Sequence, residues 1–311
     1  MFLGIDTSNY TTSSALYDSE TEEIFQQKKL LPVREGELGL RQSDAVFAHV
    51  KQLGEIVGSL FEDHRSAIDA IGVSTRPRDL DGSYMPCFLV GEMTAKCLSS
   101  SHGVLCYSFS HQQGHVAAAL YSAHRTDLFE QRFLAFHLSG GTTEALLVEP
   151  DKERILHCEK VAGSLDLKAG QAIDRVGVML NLPFPAGKYL EELALLSTKQ
   201  YKIKPTMKGL DCSLSGIENR CSKMLENREK PEDIALFCIK SVEAALCGMT
   251  DGLLDAYGNL PLVYAGGVMS DSIIRQTMEQ KYGGIFARPE FSSDNAAGIA
   301  VLTAIAYQKH S

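Results

Sequence analysis

Several signatures that would assign a function class outright are missing from this chain. The eight cysteines, at 87, 97, 106, 158, 212, 221, 238 and 247, include no Cys-x-x-Cys pair. Their scatter excludes Cys-ligated zinc motifs and a disulfide framework, and fits buried thiols in a reducing cytosol, so a cytoplasmic protein is expected. No apolar run is long enough to span a bilayer, so no membrane association is expected. The opening Met1-Phe2-Leu3-Gly4-Ile5-Asp6 reaches an acid at once and has no basic segment, so no secretory leader is expected either. Excess positive charge is also lacking. With 30 Lys and Arg against 39 Asp and Glu, the formal net charge is −9. That argues against broad, sequence-independent nucleic-acid binding and against DNA as a partner, while leaving room for an RNA reached through a small patch or a partner protein. The locally basic stretch of Lys199, Lys202, Lys204 and Lys208 with Tyr201 reads more readily as a solvated linker.

What is present is enough for a substantial core. The chain has 311 residues, 44% of them hydrophobic, which suits two lobes or one large domain. Its most informative stretch is His111-Gln112-Gln113-Gly114-His115, opening the apolar run Val116-Ala117-Ala118-Ala119-Leu120. On a helix, residues i and i+4 share a face one turn apart, and two neutral imidazoles held that way can grip one divalent cation. In the zinc-protease version of this spacing a Glu follows the first His as general base. Here Gln112 stands there and cannot take a proton, so protease chemistry is not expected. Taken alone, such a pair is more often a polar helix edge with one ring bonded to backbone; a third or fourth ligand would decide.

The chain also carries an internal duplication. Phe2 to Asp18 aligns without a gap over Phe133 to Glu149, with Phe, Leu, Ser, a Thr-Thr pair and a later Leu in common. Each copy reads as strand, tight Ser/Gly/Thr turn, strand. Small residues in such turns let backbone amides converge on an anion. The expected architecture is α/β, with two duplicated actin-like ATPase lobes (ribonuclease-H-like) facing each other across a central cleft. The expected division is 1–128 for the first lobe, completed by a C-terminal helix at 296–311, and 129–295 for the second, with a helical insertion near 170–230. Leu262-Val263-Tyr264-Ala265-Gly266-Gly267-Val268 reads as a third nucleotide-type turn, a buried strand ending in Gly-Gly before a helix capped near Ser270 or Asp271. Strands are expected near 2–6, 11–18, 68–75, 103–108, 133–138, 143–149, 261–265 and 284–287. Helices are expected near 43–62, 86–101, 111–125, 169–181, 186–197, 231–257, 270–281 and 294–309. The stretch from about 198 to 230 reads as polar and irregular.

Together these motifs resemble the universal tRNA threonylcarbamoyladenosine synthase family (TsaD/Gcp), once catalogued as O-sialoglycoprotein endopeptidase. The resemblance runs nearly end to end. It rests on Gly4-Ile5-Asp6-Thr7-Ser8, His111 to His115, Ser139-Gly140-Gly141-Thr142-Thr143, Gly170-Gln171-Ala172-Ile173-Asp174, Phe184-Pro185-Ala186-Gly187, Ser213-Leu214-Ser215-Gly216, Ala265 to Val268 and Ser293-Asp294-Asn295-Ala296-Ala297. The resemblance implies a divalent metal, iron or zinc, held by His111, His115 and Asp294. In some members an aromatic hydroxyl at the position of His137 joins the metal, and a third imidazole there would serve. The resemblance further implies an ATP-like adenine nucleotide or threonylcarbamoyl-AMP, with Ser139, Gly140, Gly141 and Thr142 at the phosphates, Asp174 accepting from the ribose, and Gly187, Gly267 and Asp271 lining ribose and base. The implied reaction moves a threonylcarbamoyl group from threonylcarbamoyl-AMP to the amino group of an adenosine beside the tRNA anticodon. Partner proteins would help with the tRNA. The amine nucleophile comes from the RNA, so no catalytic residue beyond the metal site is required.

The chain departs from that pattern in several places. Tyr10-Thr11 replaces an acidic pair after the first strand, and Arg76-Pro77-Arg78-Asp79-Leu80-Asp81-Gly82-Ser83 replaces a Gly-Pro-Gly-Leu loop. Gln171, Ala186 and Asp271 stand where the family has Glu, Gly and a base-contacting Asn. Such changes suit a divergent paralogue. The alternatives are a nucleotide-binding scaffold forming a homo- or heterodimer with a family member, or a carbamoyl-type transferase acting on a small molecule. Arg76 and Arg78 would either grip a phosphate or carboxylate, or pair with Asp79 and Asp81.

Overall fold

The computed structural model describes residues 1–310 except 9, 33–39, 65, 66 and 293–295. The chain separates into two compact units: Met1–Gln131 with Glu149–Cys158 and Glu290–Ser311, and Arg132–Val148 with Glu159–Pro289.

The first unit is built on a five-stranded mixed sheet of β1 (Phe2–Thr7), β2 (Thr11–Tyr17), β3 (Ile24–Leu30), β4 (Ala70–Arg76) and β5 (Leu105–Ser110), in the order β3-β2-β1-β4-β5. Its helices are α1 (Gln42–Asp63), α2 (Phe88–His102), α3 (His111–Ser122) and α9 (Ala297–His310). The second unit repeats the plan with β6 (Phe133–Leu138), β7 (Thr143–Asp151), β8 (Ile155–Gly163), β11 (Leu262–Ala265) and β12 (Ile285–Phe286), in the order β12-β11-β6-β7-β8. Its helices are α4 (Ala169–Met179), α5 (Gly187–Ala194), α6 (Gly216–Glu226), α7 (Pro231–Tyr257) and α8 (Ser272–Tyr282), with a two-residue ladder of β9 (Met207–Lys208) and β10 (Asp211–Cys212).

The duplication seen in the sequence is a duplication of register. In the first hairpin Phe2 pairs with Tyr17 and Thr7 with Thr12. In the second, Phe133 pairs with Val148 and Leu138 with Thr143, the positions that the gapless alignment places over them. Each hairpin then gains a parallel neighbour, β4 on β1 and β11 on β6. The paired positions are buried almost throughout in both copies, so the shared register puts equivalent residues at equivalent places in the two cores.

Besides the two-residue β9 and β10, two longer strands and a helix were not anticipated from the sequence. β3 reads Ile-Phe-Gln-Gln-Lys-Lys-Leu, with most of its length half-buried or exposed at the sheet edge, and it lacks the alternation that announces a half-buried strand. β8 is likewise interrupted by His157, Glu159 and Lys160. Within the stretch expected to be irregular, α6 forms around only two buried side chains, Ile217 and Cys221, a stripe too thin to read from periodicity.

α9 is apolar nearly all round and is buried along most of its length. Glycine makes its seat. A Cβ on Gly298 would meet the Gly114 carbonyl oxygen at 1.8 Å, and one on Gly114 would meet Ile299 Cδ1 at 2.9 Å. The glycine between the two histidines of α3 thus serves close helix packing. No helix among the described residues is long and apolar enough to cross a membrane.

Candidate functional site

The first unit carries the histidine pair. β5 ends at Ser110, whose hydroxyl caps α3 by accepting from Gln113 N, while Gln113 Oε1 takes the Ser110 amide in return. This capping box fixes where the helix starts and therefore where His111 points. His111 Nε2 and His115 Nε2 stand 2.9 Å apart, with the rings nearly perpendicular. Two ring nitrogens at that distance share one proton, and a divalent cation can replace that proton when both present lone pairs. Behind His111, Asp6 Oδ1 lies 3.0 Å from Nδ1. Gln112 carries no acid–base group, and its backbone amide donates to the Pro77 carbonyl.

The start of α3 is also tied to the tip of the β7–β8 hairpin, which belongs to the first unit. Gln113 Nε2 donates to the carbonyls of Arg154 and Leu156. Between them Ile155 is fully buried at φ +68°, a costly conformation for a β-branched residue, and it is held there by those bonds on both sides. The altered loop after β4 is anchored on the same tip. Asp79 is buried and receives Arg76 Nη2 at 3.1 Å, Arg154 Nη1 at 3.2 Å and His157 Nδ1 at 3.2 Å. Of the two roles open to Arg76, the structure shows the pairing with Asp79.

Of the other expected metal ligands, Asp294 lies outside the described residues. His137 belongs to the second unit, on β6 between Glu144 of β7 and Ala265 of β11. It occupies the position of Asp6 in the duplicated alignment. Among the described residues no group of three or more His, Cys, Asp or Glu side chains gathers as a metal cage. Within the first unit, His111 and His115 are the described residues of the expected set that stand together.

The second unit carries a cavity of about 540 Å³, within the usual size of small-molecule sites. Ser139, Gly140, Asp174, Gly187, Gly267 and Asp271, all named from the sequence, line it. Gly141 and Thr142 complete the β6–β7 turn, where Ser139 N donates to Thr142 O, but they are not among the lining residues. Asp174 holds the Ala186 amide through Oδ1 at 2.8 Å, and so keeps the Pro185–Gly187 wall in place. A short 3-10 turn, Gly267–Ser270, separates the Gly-Gly from α8. Asp271 caps α8, Oδ1 accepting from Ile273 N and Ile274 N at 3.0 Å each. Burial, with Glu191 adding to it, raises the Asp271 carboxyl to about 6 against the pull of those two amides.

Gly170, Ile173, Lys188 and Glu191 also line the cavity and had no role from the sequence. The signal for Gly170 was its place at the start of α4. Its missing side chain lets the helix lie against the β6–β7 turn, since a Cβ there would stand 2.7 Å from Gly140 N and 2.8 Å from Gly140 Cα. Gly170→Ala must therefore displace the turn that lines the cavity. For the nucleotide expected from the sequence, the loss of affinity is about tenfold, equivalent to about 1.4 kcal/mol, read by calorimetric titration with ATP and ADP. Unchanged affinity would show that the turn does not contact the ligand.

Solved structures of this architecture are numerous, and their likeness to the chain is one of fold. An activator of the 2-hydroxyisocaproyl-CoA dehydratase from Clostridium difficile with bound ADPNP superposes with a TM-score of 0.53 at 14% identity, covering 99% of this chain and 96% of that one. Full-length HypF in its phosphate- and nucleotide-bound form gives 0.62 at 12% identity, over 98% of this chain and 55% of that one. The ROK hexokinase from Thermus thermophilus gives 0.52 at 14% identity, over 99% of both chains. Two mixed α/β sheets with helices, repeated once, define this as an actin-like ATPase fold. Within that class the chain belongs to the TsaD family, described as tRNA N6-adenosine threonylcarbamoyltransferase, which matches residues 23–301.

Proposed function

We propose that this protein transfers a threonylcarbamoyl group from threonylcarbamoyl-AMP to the amino group of the adenosine beside the tRNA anticodon, and that His111 and His115 hold the divalent metal, iron or zinc, that the reaction uses. The observation that carries the reading is the pair of Nε2 atoms 2.9 Å apart on α3, in a chain of the TsaD family. The residues suit the cation: two imidazoles on one helix face present nitrogen donors of the type iron and zinc prefer. Bound there, the metal would supply Lewis acidity toward the carbamoyl–phosphate group.

The chain's own residues account for the remaining work. The cavity of the second unit holds the adenylate, with the backbone of Ser139 and Gly140 at its phosphate and Asp174 and Asp271 on its walls. ADPNP and nucleotide are bound in two proteins of the same fold, which supports a nucleotide of this class here. The adenosine amine forms the new C–N bond as the C–O bond to phosphate breaks, AMP departs, and the amine proton passes to solvent. Gln112 supplies no base for water attack on a peptide, so proteolysis has no place in this scheme. The tRNA, for a chain of net charge −9, is brought by partner proteins, including a homo- or heterodimer with a family member.

The test is reconstitution. The protein is incubated with threonine, bicarbonate, ATP, the activating synthase and unmodified tRNA, and the tRNA nucleosides are analysed. Modified adenosine is expected. Its absence across plausible partner proteins, with nucleotide binding intact, would overturn the tRNA reaction in favour of a scaffold or a small-molecule transferase.

A further inference from the structure

The motif Gly4-Ile5-Asp6-Thr7-Ser8 has no part in the function proposed above, yet it delivers a carboxylate to the histidine pair. Asp6 stands near the end of β1, in the middle of the sheet, and is fully buried. A carboxylate in such a place is costly unless it is matched by donors. Its Oδ1 lies 3.0 Å from His111 Nδ1 on α3 and also accepts a hydrogen bond from Ser74 Oγ on β4. Three separate elements thus meet at one oxygen, and that oxygen faces the nitrogen of His111 that points away from His115.

We infer that Asp6 is a positioning residue for the cation pair. A carboxylate oxygen only accepts, so His111 carries its proton on Nδ1 and leaves the Nε2 lone pair directed at His115 Nε2, 2.9 Å away. The same contact fixes the rotation of the ring. Ligating histidines are oriented and made more basic by such a carboxylate on the far nitrogen, and losing it weakens metal binding roughly 10–100-fold. The inference rests on His111 and His115 being metal ligands.

Cobalt(II) and zinc(II) titrations of the metal-free full chain separate the two claims. The wild type is expected to bind cobalt with a visible d–d spectrum and to bind zinc in competition, and His115→Ala is expected to lose both. Asp6→Asn keeps the shape and removes the charge. It is expected to weaken zinc binding roughly 10–100-fold and to shift the cobalt band. Asp6→Glu is expected to recover part of the affinity, a response that a merely structural role would not give. Nitrogen NMR of the wild-type imidazoles needs no variant to fold: His111 must show a protonated Nδ1 and a bare Nε2. If the wild type takes up neither metal, the ligand reading and this inference both fall. If the wild type binds and Asp6→Asn matches it in affinity and spectrum, or if His111 shows a bare Nδ1, the role of Asp6 alone falls.

Discussion

His115→Ala is expected to abolish tight metal binding and to slow threonylcarbamoyl transfer at least about a hundredfold. A Lewis acid contributes several kcal/mol to charge stabilisation in a transition state, and each 1.36 kcal/mol or so is a factor of ten in rate. A single remaining imidazole holds a divalent cation poorly, because ligand number sets affinity at such sites. The fold should tolerate the change. His115 is only partly buried, and alanine is the best helix former. His115 is not among the residues lining the cavity proposed for the nucleotide, so affinity for ATP should stay near that of the wild type. Metal content by mass spectrometry, nucleotide titration and the reconstituted tRNA assay check the three parts. Full transfer activity in a metal-free His115→Ala protein would sink the proposal.

Asp271→Asn is expected to stabilise the protein at neutral pH and to leave it unchanged near pH 4. Burial, then Glu191 and Glu243, raise the Asp271 carboxyl from 3.8 to about 6, while the amides of Ile274 and Ile273 oppose the rise. An acid whose folded value is raised contributes stability that is fully present below its ordinary value. That contribution is lost as the pH climbs through the folded one. The wild type should therefore lose up to roughly 3 kcal/mol between about pH 4 and pH 7 from this group. Asparagine still accepts the two helix amides as a cap but carries no charge to bury. The gap between variant and wild type should open with rising pH and level off above about pH 7. Urea unfolding across that range reads it directly, and parallel curves at every pH would refute the assignment.

The candidate site was legible in the sequence to different depths. Of the six cavity residues expected, Ser139, Gly140, Gly267 and Asp271 sit in turns whose chemistry is local, small residues after a strand and an aspartate before a helix, while Asp174 on α4 and Gly187 at the start of α5 came only with the family resemblance. Local chemistry also marked α3, where the spacing of His111 and His115 is a matter of helix geometry; the capping box of Ser110 and Gln113 came from the structure. From the sequence Gly170 and Asp6 have no role of their own, and Asp79 is only one of two carboxylates open to Arg76 and Arg78. Each acts through a partner far along the chain: Gly140 for Gly170, His111 for Asp6, and Arg154 and His157 for Asp79. No periodicity reports such partners. The missed elements follow the same division, since β3 and β8 are strands because a neighbour offers a ladder, and α6 is a helix with two buried side chains.

What the sequence by itself determined is the repeated strand–turn–strand unit, because apolar segments on either side of small turn residues are written locally in both copies. It also determined that two imidazoles share a helix face. The tertiary structure alone decided that a buried carboxylate 105 residues away stands behind the first of those imidazoles. It also decided that the bulky charged loop after β4 spends Arg76 on Asp79. Both are long-range contacts between polar groups, and their partners are chosen by which strands and helices come together to bury the apolar faces.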